Sequence, residues 1–450
     1  MIQELEELEV RLARERRFLG APDPDKILLE DILELIEKTG PRAVRRPPKG
    51  QLRVLLLGYS GAGNTGADIR TIETVRQLHR LFPHRVLDIT LLACGKVFDH
   101  PVLNSLKRFT PNSLYLPDAL NAAMADFDLV LNCEGSTYTS KFSDGLGGLL
   151  IGGPALAAAH GCVAMAYGVD AGHMTDKLTH FAKNAHTGVD IFCRSEAAVR
   201  QLTALGVPAR SGADTAWLYR AASTPANILP QYYAVLCPNN PYWWPVTTNV
   251  RRAVECDTIG TGSPLRYGPI SFHTWDDERA TNFFNYKAGF AAIAIGLLKQ
   301  GVTPVLVAME KLDRAACDEI AALLPFPVQI ISRGEANLDT VVSTIERAQC
   351  VVTTRYHAAV LSISNRVPVV GVSMDPRIQQ LLGENGLSDW VFSCDDPLFA
   401  EYVIDRLSNV RFDTFANLRE TYTRIVTQEL RRFASMGQAL VMAVEQPDAH

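Results

Sequence analysis

"RVLLLGYSGAGNTGADIRTIETVRQLHRLF", residues 53–82, sets an apolar run against a glycine-rich loop and then a helical pattern. An unbroken apolar run of this length suits a strand buried on both faces, and the spacing that follows predicts a helix over 68–82. Between them lie Gly58, Gly61, Gly63 and Gly66, with Asn64 and Thr65 among them. Glycines permit positive φ and close backbone approach, so this is either a tight strand-to-helix turn or a cradle of free N–H groups for an anion. It is neither a P-loop nor a GxGxxG fingerprint, because the glycines are spaced three, two and three apart. The polar Asn64 and Thr65 beside them suit a ligand better than a plain turn.

The strand–helix rhythm continues outward from this unit. Apolar runs recur at 86–94, 128–133, 162–168 and 189–194, separated by helical patterns at 119–126, 144–160 and 196–206. After the small-residue stretch "AASTPANILPQ", 221–231, which suits an interdomain hinge, runs follow at 232–239, 303–309, 327–332, 350–354 and 367–373. Strands alternating with helices indicate parallel sheets covered on both faces. The expected fold is α/β: two doubly wound (Rossmann-like) domains facing each other across a cleft, at 51–222 and 232–408. Residues 1–50 form a helical extension with a basic linker, and 409–450 a long helix and tail. In the first helix Ile2, Leu5, Leu8 and Leu12 make an apolar stripe, a packing arm or a surface for homo-oligomer formation.

Composition narrows the class. The chain has 450 residues, 47% hydrophobic and 21% charged, with net charge −5, so no global attraction to nucleic acid or anionic lipid is expected. Ten histidines and nine cysteines lie scattered, without HxxxH, HExxH or CxxC spacing. No metal and no cofactor are therefore expected, and the thiols fit a reducing cytoplasm. "GGLLIGGPALAAAHGCVAMAYG" is long enough for a membrane span, but its glycines, Pro154 and His160 favour a buried helix running into a buried strand.

The second informative stretch is "VVTTRYHAAVLSISNRVPVVGVSMDPRIQQLLGENGL", from 351. Arg355, Tyr356 and His357 stand at a strand's carboxyl end, where ligands of parallel α/β domains bind. Arg355 offers a fork for phosphate or carboxylate, and His357 can move a proton near neutrality. The alternative is that Arg355 pairs with a buried acid and His357 caps the helix.

Three segments, "GYSGAGNTGAD", "DLVLNCEGSTY" and "TTRYHAAVLSISNRVPVVGVSMDP", resemble in that order three landmarks of the polysaccharide pyruvyl transferase family. These are its GNxGD loop, the glycine-rich loop after a "DLVI" strand, and its (S/T)xRxHA…VPVVG…DP block. "FCRSEAAVRQLTALGV" and "SGADTAWL" resemble two further segments of that family. The chain departs from the pattern at Cys133-Glu134-Gly135-Ser136, at Ala67 (which puts Asp68 one place late) and at Thr215. "CPNNPYWWPVTTNVRRA", 237–253, has no evident counterpart.

The resemblance implies a GT-B-like fold and transfer of a pyruvyl group from phosphoenolpyruvate, as donor substrate, onto two hydroxyls of a saccharide, forming a ketal. The acceptor is a saccharide or glycoconjugate, lipid-linked acceptors included. Arg355 and His357 become the functional pair, His357 as the acid that protonates C3. Glu134 serves either as the base for the hydroxyl or as a helix-capping carboxylate. The two glycine loops, with Gly135, Ser136 and Tyr356, and the arginines Arg194 and Arg210, are the expected donor and acceptor contacts. Tyr242, Trp243 and Trp244 form either a stacking platform for a sugar or a lid over the core. Two rival functions remain: a glycosyltransferase of the same shape using a nucleotide sugar, and a non-catalytic binding protein.

Overall fold

A computed structural model describes residues 2–110, 116–222, 229–408 and 412–445, with only the backbone described for 2–8 and 412–415. The side chains of Ile2, Leu5 and Leu8 and most of the hinge stretch 221–231 thus lie outside the described residues.

The first sheet contains β1 (Gln51–Leu57), β2 (Val86–Leu92), β3 (Lys107–Phe109), β4 (Leu129–Asn132), β5 (Ser136–Tyr138), β6 (Val163–Ala171), β7 (Asp190–Cys193) and β8 (Arg210–Ser211). Its order is β3-β2-β1-β4-β6-β7-β8, with β5 beside β6. In the second half β9 (Tyr233–Cys237) is followed by the small pair β10 (Val246–Thr248) and β11 (Ser271–His273). Then come β12 (Thr303–Ala308), β13 (Gln329–Ser332), β14 (Cys350–Thr353), β15 (Val369–Ser373) and β16 (Val391–Ser393). The second sheet runs β13-β12-β9-β14-β15-β16. Among the described residues, every strand pairing in the two large sheets is parallel, while β10 and β11 pair antiparallel and single antiparallel bridges join Asn64 to Glu310 and Arg266 to Phe272.

The apolar runs are explained by burial on both faces. Along β1, Leu52, Val54 and Leu56 enter one core while Leu55 and Leu57 enter another. The first of these cores runs on without a break into the second half, through Val235, Val305 and Val351.

The long apolar segment resolves as expected into the helix Asp144–Ala159 followed by β6. Among the described residues no helix is long and apolar enough to cross a membrane. The helix Pro24–Thr39 lays Leu29 and Ile32 directly over Gly148 and Gly152 of this segment, so that half of the N-terminal arm packs within the chain. Leu12, on the helix Ile2–Gly20, is exposed. The stretch 271–284 begins as β11 and then enters the helix Asp277–Lys299, capped by Asp276.

The C-terminal helix Phe412–Glu445 ties the halves together. Gln77 of the first half donates to the Phe433 carbonyl at 3.1 Å, and the Tyr422 hydroxyl accepts from Val369 N–H of the second at 3.2 Å. A buried ion pair adds to this: Arg333, after β13, reaches Asp68 at 2.8 Å and also Asp99.

Candidate active site between the two halves

Every group of interest lies beyond the carboxyl end of a parallel strand, where loops from the two sheets meet. From the first half come the glycine loop after β1, Glu134 to Ser136 after β4, Asp170 at the end of β6, Arg194 after β7 and Asp214 after β8. From the second come Glu310 after β12, Arg355 to His357 after β14, and Asp375 to Arg377 after β15. Where they meet lies a chamber lined by Asn64, Gly66, Glu134, Ser136, Glu310, Arg355, Tyr356, His357 and Arg377. Tyr59, Tyr267, Phe142 and Trp244 line it too, with Ala67, Leu146 and Met309.

The opening loop turns out to be a joint as well as a lining. Gly61 and Gly63 adopt positive φ, +85° and +74°. The Gly63 carbonyl accepts from Lys311 N–H at 3.0 Å, and Thr65 N–H donates to the Met309 carbonyl at 2.9 Å. Asn64 caps the helix Thr65–Leu81, which begins three residues earlier than its apolar spacing suggests. Its Oδ1 accepts from Ala67 N–H and its amide donates to Glu310 Oε2, both at 3.1 Å. Gly58 lies at the start of the turn, outside the chamber's lining. Gly66 is the closest approach, because a Cβ there would stand 2.7 Å from both Cγ and Cε1 of His357 and nearer still to Nδ1.

His357 is held by a buried charge cluster. Its Nε2 lies 3.3 Å from Asp214 Oδ2, the same oxygen that accepts from Arg70 Nη1 at 2.6 Å and Arg194 Nη1 at 2.7 Å. Burial alone would raise the Asp214 carboxyl, but Arg70, then His357 and Arg194, hold it well below the usual carboxylate range. A carboxylate only accepts, so Nε2 carries the proton. Burial also lowers the His357 pKa, with Asp214 opposing. The resting imidazole is therefore neutral, and Nδ1, on the Gly66 side, is its acceptor.

Arg355 faces two acids. Its Nε donates to Asp313 Oδ2 at 2.8 Å, and its Nη2 to Glu310 Oε2 at 2.9 Å and to Asp313 Oδ1. The pairing with a buried acid and the place in the chamber hold together. Burial pushes the Glu310 carboxyl up against the pull of Arg355.

Glu134 lines the chamber, and its Oε1 accepts from Ser136 N–H at 3.2 Å, capping its own turn. Ser136 Oγ takes a hydrogen bond from Arg377 Nη1 at 2.9 Å. Gly135 makes room for guanidinium groups, since a Cβ there would meet Arg194 Nη1 at 2.5 Å and Arg70 Nη1 at 3.1 Å. Tyr356 lies under Arg194, whose guanidinium carbon is 3.8 Å from the ring centroid.

Two expected contacts are placed elsewhere. Arg210 sits on the edge strand β8, its side chain 55% exposed and paired with Asp190 at 2.6 Å, and it does not line the chamber. It was expected as a contact for its charge, but β8 is the outermost strand of the sheet. Arg194 belongs to the cluster behind His357 rather than to the chamber itself. Trp244 reaches the chamber wall edge-on to Phe142, centroids 5.0 Å apart, while Trp243 stacks on His273 at 4.4 Å. The platform and lid readings thus divide between neighbouring residues.

Arg70, Glu310, Asp313 and Arg377 carry no signal in composition or spacing that singles them out. Arg70 reads as part of an ordinary amphipathic helix, and Glu310 and Asp313 as a charged helix start. Asp214 alone had a marker, in the "SGADTAWL" segment.

A family model described as "Polysaccharide pyruvyl transferase" matches residues 64–376. No curated protein matches the chain. Among solved structures, one described as a UDP-N-acetylglucosamine 2-epimerase from Listeria monocytogenes aligns over 89% of this chain and 97% of its own, with 11% identity and a TM-score of 0.52. A UDP-GlcNAc 2-epimerase from Neisseria meningitidis aligns over 87% and 99%, with 12% identity and a TM-score of 0.49. An alpha,alpha-trehalose-phosphate synthase from Burkholderia vietnamiensis aligns over 90% and 98%, with 10% identity and a TM-score of 0.49. With the Listeria structure the chain shares the GT-B-like arrangement of two Rossmann-like halves.

Proposed function

The chain belongs to the polysaccharide pyruvyl transferase family, a family of transferases, and on that premise we propose that it moves a pyruvyl group from phosphoenolpyruvate onto two hydroxyls of a saccharide. The observation that carries this reading is the seating of His357: a neutral imidazole locked through Nε2 onto Asp214, with Nδ1 against Gly66 in a chamber that both halves build.

Arg355 and Arg377 would hold the donor's carboxylate and phosphate, since both guanidinium groups line the chamber. In the balanced reaction C3 of phosphoenolpyruvate gains a proton and becomes a methyl group. The C2–O bond to phosphate breaks, and two sugar oxygens bond to C2. Of the two hydroxyl protons, one replaces the proton given to C3 and the other leaves with phosphate.

The proposed roles of His357 and Glu134 differ from those the resemblance implies. Neutral His357 suits the base, taking the first hydroxyl proton on Nδ1 while Asp214 steadies the imidazolium. Glu310, its carboxyl raised by burial and its Oε2 already bound by Asn64 and Arg355, suits the acid that protonates C3. The second hydroxyl then returns a proton to Glu310. Glu134, engaged with Ser136, is left to position the acceptor.

A coupled phosphate assay with phosphoenolpyruvate and a panel of saccharides tests the reading. Acceptor-dependent phosphate release, lowered at least about 100-fold in His357→Ala, is expected. Nucleoside diphosphate released from a nucleotide sugar, with no phosphate from phosphoenolpyruvate, would establish the glycosyltransferase reading instead.

A further inference from the structure

The segment between β9 and the helix Asp277–Lys299 belongs to the second half by sequence but leans on the first. Its two ends meet. Thr274 N–H donates to the Trp243 carbonyl at 3.3 Å, and the rings of Trp243 and His273 stack with centroids 4.4 Å apart. This stem is fastened to the second half on both sides, by the Tyr242 hydroxyl on Asp395 at 3.0 Å and by Asp276, which caps the helix that follows. Residues 244–273 therefore hang from one stem.

The lobe they form buries little of itself. β10 and β11 make a sheet of their own, three residues on each side, and a two-stranded pair is marginal alone. The helix Val250–Ile259 buries only Ala253 and leaves Val254 and Ile259 57% and 71% exposed.

A few contacts tie this lobe to the first half. The Tyr267 hydroxyl bonds the Tyr59 hydroxyl, Val246 N–H donates to the Phe142 carbonyl at 2.8 Å, and Thr248 Oγ1 donates to Asp25 Oδ1 at 3.0 Å. Trp244 meets Phe142 edge-on, and Ile270 packs on the first half's core. Tyr59, Phe142, Trp244 and Tyr267 all line the chamber, so these contacts form one of its sides.

The joint between the halves is of another kind. One apolar core runs through both sheets, and Arg333 is buried against Asp68 and Asp99. Thr65 and Lys311 bond across the joint through their N–H groups, and Asp99 also accepts from Leu338 N–H at 3.1 Å. Parting the halves breaks all of this together, whereas lifting the lobe parts a few bonds and uncovers little apolar surface. Local opening belongs where buried apolar contact is least.

We infer that residues 244–273 are a flap that swings on its stem to open the chamber while the two halves stay joined, with the Tyr59–Tyr267 pair as its latch. What enters through the opening rests on the proposed function; the movement does not.

Hydrogen exchange of the full chain, resolved to single amides by mass spectrometry, provides the test. Val246 N–H, which only the flap's closure holds on Phe142, is expected to be protected about tenfold or more weakly than Thr65 and Lys311 N–H. Tyr267→Phe keeps the ring and loses the hydroxyl; it lowers Val246 protection about threefold or more and leaves Thr65 and Lys311 unchanged. Thr248→Val, which loses the bond to Asp25, acts in the same direction. Val246 as strongly protected as Thr65 and Lys311 overturns the inference. So does a Tyr267→Phe protein in which all three amides loosen together, or in which Val246 does not change. Phosphate release from phosphoenolpyruvate by a protein whose Val246 is as protected as Thr65 sinks the flap alone. The expected exchange without that turnover supports the flap and sinks the proposed reaction.

Discussion

Gly66→Ala adds one methyl group at the point where the two halves approach most closely around the imidazole. The new Cβ would sit 2.7 Å from Cγ and Cε1 of His357 and closer to Nδ1, so the ring must retreat by about 1 Å or more to regain normal contact. Its anchor, the 3.3 Å bond from Nε2 to Asp214, cannot follow, because that oxygen is pinned by Arg70 and Arg194. Losing a hydrogen bond to a charged group costs about 1.5–3 kcal/mol. Alanine in a helix returns about 0.5–1 kcal/mol. The net loss of stability is therefore small, about 0.5–2.5 kcal/mol, within range of a chemical denaturation curve. The catalytic loss is larger, because Nδ1 is both displaced and covered: about 100-fold or more in phosphate release, the scale of a positioned proton acceptor. A folded Gly66→Ala protein that turns over within threefold of the wild type would refute the claim that His357 works from this position.

Asp214→Asn leaves Arg70 and Arg194 buried without their shared carboxylate, and unfolding in urea should show a loss of about 3–5 kcal/mol. Burial pushes the Asp68 carboxyl up to about 7 despite Arg333, so the folded state holds that proton more tightly than the unfolded chain does at 3.8. Its contribution is therefore most favourable below about pH 4 and declines as pH rises to about 7, with a slope of up to about 1.4 kcal/mol per unit. Stability measured across that window should flatten in Asp68→Asn. Arg210→Ala, removing an exposed edge pair, should leave activity unchanged and stability within about 1 kcal/mol by thermal denaturation.

The long strands were legible because burial on both faces forces unbroken apolar runs, as in "RVLLL" and "CVVTT". The short β3, β5, β8, β10, β11 and β16, of two to three residues each, carry no such run, since their pairing is decided by neighbours distant in sequence. Arg355 and His357 could be found from a strand end followed by a helix start. The cluster that gives His357 its tautomer could not, because Arg70 on the helix Thr65–Leu81 and Arg194 and Asp214 on two separate loops meet only after folding. Arg333 reads as a turn residue in "SRGEAN", yet it is buried and joins the two halves through Asp68 and Asp99. Arg210 was expected among the contacts for its charge, and charge does not tell a central strand from the outermost one.

The most direct test of the account follows the carbon atoms themselves, by NMR of phosphoenolpyruvate labelled at C2 and C3 and turned over in D₂O with a saccharide acceptor. The account expects C2 to reappear as a ketal carbon bonded to two sugar oxygens, with one deuterium in the new methyl group and no product from His357→Ala. A label that stays in phosphoenolpyruvate while a saccharide is glycosylated from a nucleotide sugar, or a ketal formed equally well by His357→Ala, would contradict it.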